Sequence, residues 1–334
     1  MAVKYMTRSS IPQALIGAKQ SAIENFFSSA PTAAFSAFAA QSQPRHNVVG
    51  VGVGRKLVNG KPTNEHCVRF YVERKLDEAV IPKEFQLPKQ IGGVLTDVIE
   101  TGRFVAFIPP ERKRLRPVRP GCSIGFKSKD AGNVMAGTLG AIVEADNKRF
   151  LLSNNHVLAG ENALPIGSPI FQPGLLDKNT PDADQIASLT HFIKLDAHRP
   201  NKVDCAVAQL ADGTRVNTAI MPRVNKLKSG APVVAQEAMK VEKTGRTTGY
   251  STGTIHDVSA TVKVQYELGM LTFADQIMIG GGAKSFSGAG DSGSLIVDSK
   301  TRRPVGLLFG GTDRYTVANH IIDVLDQLKV AIVA

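Results

Sequence analysis

Tryptophan is absent from this chain, and cysteine is nearly so: Cys67, Cys122 and Cys205 are the only three. An odd number leaves at least one thiol unpaired, which excludes a small secreted scaffold stapled by disulfides. A reducing, cytoplasmic setting is therefore expected. No apolar run approaches the ~18 residues that suggest a membrane-spanning helix, so no membrane span is expected. The first 40 residues also lack a continuous apolar signal core, because Lys19, Gln20, Glu24, Asn25 and Pro31 interrupt it. The small residues between Phe26 and Ala40 keep export as the alternative. Zinc-like ligand spacing is missing as well, and neither a metal nor a cofactor is expected.

What the chain does have is length and turns. Its 334 residues are 43% hydrophobic, with 31 glycines and 18 prolines separating short Val/Ile/Leu-rich runs. That pattern predicts a mainly β protein of two domains or slightly more. We divide it into an N-terminal helical segment (1–44), a small α/β module (45–110), a basic linker (111–119) and a main domain (120–334). In the first, Gln13 to Phe27 reads as a helix. The module reads as a strand from Val48 to Gly54, the turn Val58-Asn59-Gly60-Lys61, the alternating strand Cys67 to Val72, a charged helix near Leu76 to Glu84, and a strand near Val94 to Val98. Gly50-x-Gly52-x-Gly54 lacks the third glycine that opens a helix in a dinucleotide site, so close strand packing explains it better. The linker carries Arg112, Lys113, Arg114, Arg116 and Arg119, and the formal charge is +11. Without interleaved aromatics or a helix-turn-helix pattern, nucleic acid is disfavoured. The linker reads as a solvated connection and a cleavage site.

The richest stretch is Gly288-Ala289-Gly290-Asp291-Ser292-Gly293-Ser294, followed by the apolar Leu295-Ile296-Val297. A tight turn is its ordinary reading. Its other reading is an exposed serine nucleophile flanked by backbone N–H groups, which small neighbours permit. That reading needs a base and an orienting acid. His156 ends the apolar run Leu151-Leu152-Ser153-Asn154-Asn155-His156, whereas His46, His66, His191, His198, His256 and His320 lie in polar loops or at element ends and read as surface or packing residues. Asp204 interrupts the apolar Val203-Asp204-Cys205-Ala206-Val207, where a carboxylate needs a hydrogen-bond partner. Its rivals Asp182, Asp184 and Asp196 fall in loop-like sequence.

The order His156, Asp204, Ser292, with spacings of 48 and 88 positions, resembles that of the trypsin-like (chymotrypsin-fold) serine proteases. Leu152-Ser153-Asn154-Asn155-His156 is similar to the family's Ser-Ala-Ala-His segment. Val203-Asp204-Cys205-Ala206 is similar to its Asp-Ile-Ala strand, and Gly290-Asp291-Ser292-Gly293 matches its Gly-Asp-Ser-Gly signature. The resemblance is to intracellular-looking bacterial members with an extra N-terminal module. It implies a chymotrypsin-like double β-barrel over 120–334, preceded by the small α/β domain, and a serine endopeptidase with Ser292 as nucleophile. His156 would be the base, Asp204 its orienting acid, and the Gly290 and Ser292 N–H groups the oxyanion hole. Asp291 would support the loop.

Departures accompany the matches. Phe286 stands at the position of the specificity-pocket floor and predicts against Lys or Arg substrates. Phe309 replaces a serine that commonly holds the aspartate, and Gly310 and Gly311 predict an open substrate edge. These three and Phe286 form the expected substrate-binding set. No processing site that would free a new N-terminus is evident. Secreted relatives often carry a disulfide beside the histidine, and no cysteine lies beside His156. Arg246, in Gly245-Arg246-Thr247-Thr248-Gly249, reads as a barrel brace or a substrate contact, and Ile321 to Val330 as a closing helix. The expected partners are a polypeptide substrate and, for the N-terminal module, a protein partner or regulator. Nothing in the sequence excludes a homo-oligomer. The alternative function is a catalytically silent protease-fold protein that binds partners.

Overall fold

The computed structural model describes residues 6–27, 47–104, 113–127, 134–177, 184–221, 224, 226–282 and 284–334. The alanine-rich run beyond residue 27, His46, Glu111, Arg112 and Asp182 lie outside them.

Helix α1 (Gln13–Phe26) buries Leu15, Ala18 and Ala22 along one stripe, as amphipathic spacing dictates. It covers a ribbon made by β1 (Val48–Val58) and β2 (Lys61–Val72), joined at Asn59 and Gly60, both with positive φ. Alternation along β1 turns Val51 and Val53 toward α1. The intervening glycines face the other way. A Cβ on Gly52 would overlap the Asp257 carboxylate, and one on Gly54 the Arg69 guanidinium, so close approach explains the glycine repeat. The strands β3 (Gln90–Ile91) and β4 (Val94–Glu100) finish the ribbon, with β4 parallel to β2. The helix expected at 76–84 is absent: two 3-10 turns, Glu78–Val80 and Lys83–Phe85, flank Pro82, which lacks the N–H a continuous helix needs.

The main domain begins with β5 (Ser123–Ile124), β6 (Gly137–Thr138), β7 (Ala141–Ala145) and β8 (Lys148–Ser153). The one-turn helix α2 (Asn155–Leu158) follows, then β9 (Pro169–Gln172), β10 (Asp184–Phe192) and β11 (Ala206–Leu210). Their order is β7-β8-β11-β10-β9. The Gly125–Phe171 bridge ties β9 back to the β5 region, β5 pairs with β6, and Gly140 N–H donates to the Leu152 carbonyl on β8. The sheet thus closes into a barrel around Ile124, Leu139, Ile142 and Leu151.

A second ring contains β12 (Lys240–Gly245), β13 (Gly249–Tyr266), β14 (Gly269–Gly281), β15 (Leu295–Asp298), β16 (Pro304–Gly311) and β17 (Tyr315–His320). The order β12-β15-β16-β17-β14-β13 is closed by an additional β12–β13 pairing. Helix α3 (Ile321–Leu328) and β18 (Ala331–Ile332), which pairs with β7, return the chain to the first barrel. A third apolar cluster joins Val143 and Leu152 of the first barrel to Leu295 and Leu307 of the second and to Val324 of α3. The fold is mainly β, as expected.

The N-terminal strands do not form a sheet of their own. Gly50 and Val51 of β1 pair with Val262 and Thr261 of β13, so the ribbon extends the second barrel's sheet. A two-stranded β1–β2 edge would leave backbone groups unpaired, and β13 is long enough to accept it.

Candidate functional site

Strand β8 ends at Ser153, and the next turn carries His156 into the seam between the barrels. Asp204 lies two residues before β11, at its entrance and not within it. The two meet directly: His156 Nδ1 is 2.5 Å from Asp204 Oδ2. A carboxylate only accepts, so Nδ1–H is the donor and Nε2 carries the free lone pair when the ring is neutral. Asp204 Oδ1 accepts from the backbone N–H groups of Asn155 (2.6 Å) and His156 (3.3 Å). Its Oδ2 also accepts from the Tyr266 hydroxyl at 2.7 Å. Asn154 Nδ2 donates to the Asp204 carbonyl, and Asp204 N–H donates to Asn319 Oδ1. A fully buried carboxylate is tolerated because four donors replace its water.

Ser292 reaches the same seam from the turn before β15. Gly290 and Gly293 have φ of 92° and 91°, a region that disfavours any side chain. Thr138 binds this turn twice, donating from N to the Ser292 carbonyl and from Oγ1 to the Gly290 carbonyl, both at 2.8 Å. Asp291 is anchored on the other side. Its carboxylate accepts from Lys243 Nζ (2.7 Å), Thr248 Oγ1 (2.6 Å) and the backbone N–H groups of Thr247, Thr248 and Gly288. Both Lys243 and Asp291 side chains are 0% exposed. Among the described residues, the Gly290 and Ser292 N–H groups have no backbone acceptor.

Gly137 packs between the serine and histidine segments: a Cβ there would stand 3.0 Å from the Ser292 carbonyl oxygen and 2.5 Å from Cγ2 of Val157, the residue after His156. The serine and the histidine are not hydrogen-bonded. Ser292 Oγ donates to the Phe309 carbonyl at 3.4 Å, and His156 Nε2 is buried without a hydrogen-bond partner. His156 is 1% exposed and Ser292 0%.

The expected substrate-facing set is placed differently. Phe286 packs among Ile255, Ile279 and Leu308 in the second barrel's core. Phe309 packs on Phe273, with centroids 4.6 Å apart. Both are core residues, since burying a phenylalanine stabilises by roughly 1.5–3 kcal/mol what an open cleft would leave wet. Gly310 and Gly311 are buried opposite Val317 and Thr316, and a Cβ on Gly311 would stand 2.6 Å from the Tyr315 carbonyl. Close strand pairing, and not an open edge, explains them.

Arg246 is a brace. Its Nε is 2.6 Å from Asp177 Oδ2, with both side chains 0% exposed, and Asp177 follows β9 of the opposite barrel. The thiols do not compete as nucleophiles: burial pushes Cys67 up to about 11 and Cys122 to about 12, and Cys205 well above its ordinary range. His256 and His320 are packing residues, both lowered to about 4 chiefly by burial. Among the described residues no cluster of His, Cys, Asp or Glu could hold a metal ion, and no helix is long and apolar enough to cross a membrane.

Sequence reasoning missed Lys243 and Tyr266. Lys243 sits in Val241-Glu242-Lys243-Thr244, where one fully buried lysine is indistinguishable from an exposed one. Tyr266 ends the alternation Val262-x-Val264-x-Tyr266 before a turn, and only the length of the β13–β14 hairpin reveals its reach.

Comparison with known proteins adds a family and fold context. Residues 202–320 match the Nal1 C-terminal domain family. The chain is 27% identical over 302 residues to Protein NARROW LEAF 1 of Oryza sativa subsp. japonica, which covers 79% of this chain. The chain spans about half the length of that relative (51%). Protease A of Thermobifida fusca is 16% identical, with a TM-score of 0.46 over 65% of this chain and 100% of the other. Nocardiopsis protease is 14% identical, with a TM-score of 0.47 over the same shares. The relative matched in sequence is a plant protein.

Proposed function

We propose that the chain is a serine endopeptidase, a reading supported above all by the buried Asp204–His156 pair beside a glycine-framed serine at the barrel seam. Ser292 Oγ attacks the scissile carbonyl while its proton passes to His156 Nε2, which turns from idle acceptor to general base. The bond to carbon forms, and the oxyanion sits against the Gly290 and Ser292 N–H groups. Collapse breaks the C–N bond as Nε2–H protonates the leaving amine, and water then repeats the sequence on the acyl-enzyme. Each oxyanion donor is worth about 2.7–4 kcal/mol in the transition state. The N-terminal strands, fused edge-on to β13, are a suitable docking place for a regulator. Three buried unpaired thiols fit a reducing, cytoplasmic setting.

A second reading, a silent protease-fold protein that binds partners, is favoured by one observation. Ser292 and His156 are occluded and lack their mutual hydrogen bond. A fluorophosphonate probe separates the two. Covalent labelling of the full chain that disappears in Ser292→Ala is expected for the peptidase. Folded protein that stays unlabelled overturns it in favour of the second reading.

A further inference from the structure

Phe309 fills the core, so the strand that carries it offers no hydroxyl to Asp204. The hydroxyl comes instead from β13 of the same barrel. Strands β13 and β14 run together as a hairpin whose tip, Glu267-Leu268-Gly269, reaches the loop after α2, where Leu268 N–H donates to Glu161 Oε2 at 2.9 Å. One residue before that tip, Tyr266 donates to Asp204 Oδ2 at 2.7 Å, the same oxygen that holds His156 Nδ1–H. Its ring stands edge-on to the His156 imidazole, with centroids 5.6 Å apart and planes at 78°. Behind it, Phe273 and Phe309 continue an aromatic stack at 5.8 Å and 4.6 Å. The phenylalanine that displaces a hydroxyl from β16 therefore belongs to the packing that seats a replacement hydroxyl on β13.

We infer that Tyr266 is the positioning residue of this site: it orients Asp204 through its hydroxyl and His156 through its ring. It does not touch the reacting atoms. The role rests on the peptidase reading and names the residue that reading requires. The same strand connects it to the N-terminal ribbon, since Val262 pairs with Gly50 and Gln265 N–H donates to the Phe104 carbonyl at 3.3 Å. The other ionisable groups near the pair are Glu161 in the loop after α2, Glu267 at the hairpin tip and the Cys205 thiol beside Asp204.

The test is the rate of fluorophosphonate labelling of Ser292 in four full-length proteins: wild type, Tyr266→Phe, Asp204→Asn and the double variant. Tyr266→Phe keeps the ring and is expected to slow the covalent step about tenfold, the scale of a lost hydrogen bond to a charged acceptor, with probe affinity unchanged. In the Asp204→Asn background the same substitution is expected to have no further effect, because Tyr266 acts through Asp204. An equal loss in both backgrounds, or no loss in either, overturns the proposal and leaves the peptidase reading standing. If wild type itself is unlabelled, that reading falls. The deshielded His156 Nδ1–H proton resonance then decides Tyr266: a shift in folded Tyr266→Phe supports positioning, and an unmoved resonance refutes it.

Discussion

Two aspartates, Asp204 and Asp291, are fully buried at the site, and they are held in opposite ways. Asp204 draws its donors from distant elements: the turn after β8, the imidazole of His156 and the hydroxyl of Tyr266 on the β13–β14 hairpin. None of them brings a permanent positive charge. Asp291 draws its donors from the loop it belongs to and the Thr247-Thr248 turn, plus one full cation, Lys243. The difference separates two tasks. A charge that shares a proton-bearing ring is held by dipoles and by two neutral ionisable donors, the His156 imidazole and the Tyr266 hydroxyl. A charge whose task is to fix a glycine-rich turn is neutralised outright. Lys243, on β12, supplies the neutralising ammonium from within the chain and so ties the Ser292 turn to the second barrel.

The sharpest way to break this comparison is to neutralise each partner and ask whether rate or stability suffers. Asp204→Asn places an amide against Nδ1 and favours the wrong imidazole tautomer. Labelling of Ser292 is expected to slow by about 10⁴-fold, while the urea midpoint barely moves. Lys243→Met does the reverse. It strands the Asp291 carboxylate with dipoles alone, and the chain is expected to lose about 3–5 kcal/mol in urea unfolding. Most of that returns in Lys243→Met combined with Asp291→Asn, because no orphan charge remains. A Lys243→Met protein of full stability, or an Asp204→Asn protein as unstable as the lysine variant, would erase the distinction.

How much of this was legible in the sequence follows the range of each interaction. His156, Asp204 and Ser292 stand in short local signatures, a polar residue at the end of an apolar run or inside a glycine turn; the structure joins His156 to Asp204 directly and ties the Ser292 turn to Thr138 of the first barrel. The β-rich class followed from the spacing of turns, and α3 from its period of apolar residues. Tyr266 and Lys243 were hidden because their meaning is tertiary: one depends on how far a hairpin projects, the other on which face of β12 closes the barrel. The phenylalanines failed for a related reason. Alignment by position made Phe286 and Phe309 cleft residues, but their area is satisfied only in the two apolar clusters they join. The ribbon at the N-terminus was legible as strands and illegible as an extension of another sheet, since edge pairing leaves no mark on side-chain alternation.

A smaller effect sets the window in which the two aspartates can be compared by stability. His320 is 4% exposed, and its Nε2 lies 3.0 Å from the Val258 carbonyl. Burial first, then Arg8, lowers it to about 4 from an ordinary value of 6.5, despite opposing contributions from Asp323 and Asp275. A histidine depressed in the folded state favours folding fully above its unfolded value. That contribution fades as pH falls from 6.5 toward 4, because the unfolded chain takes the proton first. Between pH 7.5 and 4.5 the loss is expected to be about 2–3 kcal/mol from this residue. In His320→Gln, urea unfolding at the two pH values should show a loss smaller by that amount. An unchanged loss would mean that the histidine stays hydrated. A reduced one means that stability effects at Lys243 and Asp291 are read cleanly only above about pH 6.5, since His256, lowered in the same way, still contributes below it in the glutamine background.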